Sequence, residues 1–122
     1  MKPPIPLLRS IDEHEARDFY LRYHGFEGVF EHRFTPEAPL CMAVRRGACV
    51  LHLSEHHGDG SAGAAILIEV EDIEAFHSEI HARGHKRLNP GSETQSWGMR
   101  EVALRDPFGN RVVFFAPPDD AT

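Results

Sequence analysis

The sequence lays down one order of elements twice, and few folds accommodate that. The first helix signal runs from Asp12 to His24. Asp12 with Glu15 makes a capping-box-like start, Ala16, Phe19, Tyr20 and Tyr23 form one apolar stripe, and Gly25 supplies the stop. The second runs from Asp72 to Arg83, with Ile73, Phe76 and Ile80 as its stripe and Gly84 as its stop. Laid over one another, Asp12 meets Glu71, Glu15 meets Glu74, Ala16 meets Ala75 and Gly25 meets Gly84. Each helix follows a strand-like run, IPLLR or AILIEV. Each precedes three more: FEGVFEHRF, PLCMAV and ACVLHLS, then HKRL, MREVALR and NRVVFF. The order βαβββ is therefore present twice, joined by HHGDGSAG at 56–63. It predicts a single α+β domain of two modules, residues 1–57 and 63–117, forming a curved, partly open mixed β-barrel with the helices outside.

The turns fit this order. RRG at 45–47 closes a short hairpin on Gly47, and in DPFGN at 106–110 Pro107 sets the first turn position while Gly109 can take positive φ. Alternation then assigns faces. Ile66, Ile68 and Val70 form the side of the fifth strand that packs under a helix, while Ala65, Leu67 and Glu69 line a concave cavity.

At 122 residues and 41% hydrophobic, the chain can bury one real core. The formal net charge of −6 argues against a phosphate-backbone partner, so no nucleic acid is expected. No apolar run approaches a membrane span. MKPPIPLLRS lacks the long apolar stretch of a secretory leader, and the protein is expected in the cytoplasm. Cys41 and Cys49 are read as reduced, half-buried strand residues.

Two βαβββ modules ending in a strand, D-P-x-G-N and a strand resemble the vicinal oxygen chelate superfamily of glyoxalases, bleomycin resistance proteins and dioxygenases, over nearly the whole chain. The fuller string WG-x-RE-x-ALRDP-x-GN, Trp97 through Asn110, resembles the bleomycin resistance branch more closely, as does IPLL with Pro6 inside it. Metalloenzymes of the superfamily draw ligands from the first, fourth, fifth and eighth strands. The resemblance carries those places to Ile5, His52, Ala65 and Val113, and a one-residue slip gives Pro6, Leu53, Ile66 and Phe114. A transition metal needs three or four converging donors, so no metal and no cofactor is expected. Of the other histidines, His77 and His81 share a helix flank but HSEIH lacks the glutamate of a zinc-protease helix, and His56 with His57 sits in a Gly-rich loop where an adventitious ion could bind. No nucleophile elbow, phosphate loop or dinucleotide fingerprint is present.

The resemblance implies a binding wall instead. In bleomycin-binding relatives the tryptophan matching Trp97 packs on the drug's planar tail, and a phenylalanine from the partner subunit's β2 region packs on the other side. Phe34 is the counterpart here, with Phe30 as alternate because TPEAP changes the loop length. His52 on the cavity face and Glu69, either free to attract a cation or paired with Arg9, complete the expected site. The expected partner is a planar cationic small molecule such as a bleomycin-type antibiotic, held by a homodimer that sequesters it unmodified. The competing readings are a lyase or dioxygenase with a rebuilt metal site, and a binding module for another planar metabolite.

Overall fold

The computed structural model describes residues 1–61, 63–95 and 98–117. The elements run β1 (Leu7–Arg9), α1 (Glu13–Ala16) continuing as a π-helical segment (Arg17–Tyr23), β2 (Glu27–His32), β3 (Cys41–Arg46), β4 (Cys49–Ser54), β5 (Ala65–Glu69), α2 (Ile73–Arg83), β6 (Glu93–Thr94), β7 (Arg100–Arg105) and β8 (Arg111–Ala116). They build two four-stranded sheets, ordered β1-β4-β3-β2 and β5-β8-β7-β6, so the twofold order in the sequence is a repeat in space. In each sheet the first strand pairs parallel with the last and the other pairings are antiparallel.

Both helices start as their sequences predict. The Asp12 carboxylate accepts the Glu15 N–H and the Asp72 carboxylate accepts the Ala75 N–H, each at 3.0 Å. Glu15 does not reach back to complete a capping box; its carboxylate takes Lys86 and Arg87 of the second module. The first helix widens after Ala16, with the His24 N–H reaching back five residues to the Phe19 carbonyl at 3.2 Å. This winding brings His24 onto the buried side with Phe19, Tyr20 and Tyr23. Gly25 at φ 76° and Gly84 at φ 71° end the helices in a backbone region that side chains resist.

Two sequence expectations need correction. HKRL at 85–88 forms no strand; the sixth strand is the short Glu93–Thr94, paired only to Glu101 and Arg100. The first strand begins at Leu7, so Ile5 and Pro6 precede it, although the Pro6 carbonyl still accepts the His52 N–H at 3.0 Å.

One core joins the modules. Phe19, Tyr20 and Tyr23 of the first helix pack with Leu8, Leu51 and Leu53, and in the same cluster lie Ile73, Phe76, Ile80, Val102, Val112 and Phe114. A buried polar knot ties them at the 106–110 turn. Asp106 Oδ1 accepts the N–H groups of Phe108 (2.9 Å) and Asn110 (2.8 Å), and Oδ2 accepts the Tyr20 hydroxyl (2.6 Å) and Asn110 Nδ2 (2.7 Å). Asn110 Nδ2 also donates to the Arg9 carbonyl on β1 at 2.9 Å. Burial, and then the Asp106 carboxylate beside it, holds the Tyr20 phenol well above the usual tyrosine range. The turn thus docks the second module on the first. Cys41 and Cys49 are free and half-buried in their strands, as expected.

Candidate functional site

Each sheet turns one face to the shared core and the other away from it, where Ala43 and Val113 are still buried among larger neighbours, and alternation decides which side chains stand there. On the first sheet, the register places Leu7, His52, Ala43 and Phe30 in one row across β1, β4, β3 and β2. On the second, Leu67, Val113 and Ala103 form the matching row, with Glu69, Phe115, Glu101 and Glu93 beside it. None of Ala43, His52, Leu67 or Val113 belongs to the core cluster between sheets and helices, whereas their strand neighbours Met42, Val44, Leu51, Leu53, Val112 and Phe114 do. Leu7, at the start of β1, is 42% exposed, and Phe30 and Leu67, in the middle of their strands, are 47% and 66% exposed, which is unusual for such side chains.

The structure brings together only part of the expected site. His52 is half-buried on its face, with its ring edge-on to Phe30 at 5.5 Å between centroids. Phe34 lies past the end of β2, 76% exposed, against His32 (4.7 Å) and His56 (6.1 Å). Glu69 stands at the end of β5 on the other sheet, and the two sheets share no strand pair. Its expected pairing with Arg9 does not form: Arg9 Nη1 donates to the His56 carbonyl at 2.6 Å and the Glu55 carbonyl at 3.4 Å. Trp97 lies outside the described residues. Sequence reasoning passed over Glu101, a buried carboxylate in the row with Glu69, although alternation in MREVALR already set it on the face of Ala103 and Arg105.

The strand pairings bear on the metal-ligand places that the resemblance implied. The partner of His52 on β1 is Leu7, not Ile5, and the partner of Val113 on β5 is Leu67, not Ala65. Whether β1 and β5 contribute Ile5 and Ala65 or the paired residues Leu7 and Leu67, only His52 among these places carries a donor, and the set does not fit a transition metal. Among the described residues, no three His, Cys, Asp or Glu side chains converge on a common point. His77 is engaged elsewhere, its Nε2 within 2.7 Å of the Pro90 carbonyl.

Paired βαβββ modules with open mixed sheets define a class of small proteins, and comparison places the chain within it. The model of a family described as glyoxalase superfamily protein matches residues 1–120, and the chain belongs to that family. A bleomycin-binding protein solved with bleomycin superposes with a TM-score of 0.74 at 24% identity, covering 95% of this chain and 98% of that one. A bleomycin resistance determinant encoded on the transposon Tn5 gives 0.71 at 22%, covering 96% and 98%. A member of the glyoxalase/bleomycin resistance protein/dioxygenase superfamily from Sphaerobacter thermophilus gives 0.65 at 25%, covering 95% and 98%. No curated protein sequence matches. Among the described residues, no helix is long and apolar enough to cross a membrane.

Proposed function

We propose that this chain is a metal-free binding protein that acts in the cytoplasm as a homodimer and sequesters a planar, cationic small molecule of the bleomycin type without altering it. One observation carries the reading. One sheet presents Leu7 and Phe30 to solvent beside a half-buried His52 and the other presents Leu67, while the places carried over from the superfamily hold hydrocarbon except at His52. Such a face binds by stacking and desolvation and offers little to hold a reacting group. The formal charge of −6 favours a cationic guest over an anionic one. That a protein of the same fold binds bleomycin makes this drug class the first to test.

Trp97 is the sole tryptophan, so intrinsic emission reports that position alone. Titration with bleomycin is expected to change the emission saturably, near one drug per chain, with Trp97→Ala weakening binding by about 1–3 kcal/mol. Phe30→Ala and Phe34→Ala distinguish the two candidate aromatic partners, since only the one that grips the drug should lower affinity. Neither heat nor emission change well above micromolar drug would sink the sequestration reading.

A lone chain leaves these apolar faces to water, and a second copy would cover them. Light scattering at micromolar concentration is expected to give the mass of two chains, and Leu67→Lys, which sets an ammonium on the open face, is expected to lower it. A mass of one chain throughout that range would overturn the intersubunit groove.

A further inference from the structure

On the helix side, the modules form a half-open cavity of about 590 Å³ between the β3–β4 hairpin and the loop leading from β5 into α2. That volume falls in the range of small-molecule sites. Its floor is apolar: Phe26, Phe76 and Phe114, all buried, with Ile68 and the half-buried Cys49. These belong to the helix-facing side of the sheets, so the floor is separate from the rows of His52 and Val113, and only Glu69, at the end of β5, stands at the rim of both.

The charges around it are unequal. Arg46 lies over the Phe76 ring, its guanidinium carbon 5.4 Å from the centroid, but its charge is already engaged. Nη1 and Nη2 donate to both oxygens of Glu79 at 2.8 and 2.7 Å, and Nη1 donates to the His24 carbonyl at 2.6 Å. Glu79 also takes Arg83 at 2.5 Å, and the two guanidinium groups hold its carboxyl below the usual glutamate range. Around the mouth stand Glu69, Glu71 and Asp72. Asp72 caps α2, whereas Glu69 and Glu71 make no ion pair among the described residues. The positive end of α2 is the one feature here that favours an anion. It amounts to about half a charge and is already capped, against three full carboxylates.

We propose that this cavity is a second small-molecule site, selective for an organic cation whose apolar body packs on Phe26, Phe76 and Phe114 while its ammonium or guanidinium group meets Glu69 and Glu71. Arg46 over Phe76 is the built-in precedent: the ring already carries one cation.

Phenethylamine, phenethyl alcohol and phenylpropionate share a body and differ in charge, and amide correlation spectra locate each on the folded chain. The amine is expected to shift Ala48, Cys49, Val70 and Ala75 saturably, and to bind about tenfold or more tighter than the carboxylate, as a few charges at a half-open mouth allow. The double variant Glu69→Gln/Glu71→Gln, at two exposed positions, should fold and bring amine and alcohol to similar affinity. Ala75→Leu, which fills the mouth from α2, should weaken all three. Shifts confined to His52, Leu67 and Val113, equal affinity of amine and carboxylate, or no shift at all would each overturn the proposal. The amine's shifts at Ala48, Cys49 and Ala75 are read without bleomycin, so failure of either binding test leaves the other reading standing.

Discussion

Asp106→Ala is expected to cost about 3–4 kcal/mol in urea unfolding, because four buried donors lose their acceptor together. Truncation leaves the Tyr20 hydroxyl with no other hydrogen bond among the described residues, and it frees the N–H groups of the buried Phe108 and Asn110. Asn110 Nδ2 keeps the Arg9 carbonyl, which limits the loss. Tyr20→Phe removes one of the four bonds and should cost about 1–2 kcal/mol. The two substitutions share a bond, so the double variant should cost less than their sum. Urea denaturation of all three variants decides it. An Asp106→Ala variant within about 1 kcal/mol of the parent would mean that the knot does not hold the modules together.

Acid is expected to destabilise the protein through His24, by about 3 kcal/mol between neutral pH and pH 4. The imidazole is fully buried among Phe19 (4.4 Å), Tyr23 (4.7 Å) and Phe114 (5.1 Å), with Nδ1 donating to the Phe19 carbonyl at 2.8 Å and Nε2 left without a partner. Burial, chiefly, and the nearby charges of His85, Arg46 and Arg83 push its pKa down to about 4, against the Phe19 hydrogen bond, which raises it. A depressed histidine is neutral in the folded chain while the unfolded chain takes up a proton. The stability it contributes is therefore whole above about pH 6.5 and is lost as pH falls through that value towards 4. His85, also lowered chiefly by burial, acts in the same direction. His24→Asn keeps a donor near the Phe19 carbonyl and removes the titration. Its unfolding free energy should fall less steeply from pH 7 to pH 4.5 than the parent's. Equal slopes would show that the parent's acid sensitivity lies elsewhere, in carboxylates such as Glu13, Asp18 and Glu79 that arginines hold low.

Much of the fold was legible because it rests on local periodicity. The apolar stripe of the first helix is buried residue for residue, and the Ile66/Ile68 face of β5 packs on the core while Ala65, Leu67 and Glu69 stay outside. Register was not legible, for a definite reason. Side chains repeat every two residues along a strand, so sliding β1 or β5 by two leaves every face unchanged. Ile5 and Leu7 are equally acceptable to the pattern, as are Ala65 and Leu67, and only pairing with β4 and β8 chooses between them. A two-residue strand such as Glu93–Thr94 has no period to read, and the expected Arg9–Glu69 pair presumed a shared sheet that the topology does not provide.

By itself, the sequence determined the paired βαβββ order, the caps and stops of both helices, and the alternating faces of the strands. Each of these depends on neighbours within a turn or a strand. The tertiary structure alone decided that Phe30 meets His52, that Asp106 binds Tyr20 across the chain, that the first helix widens to bury His24, and that a cavity opens between the hairpin and α2. Those outcomes depend on which residues, distant in the chain, are pressed together when two half-size sheets share one core, and no local pattern encodes that choice.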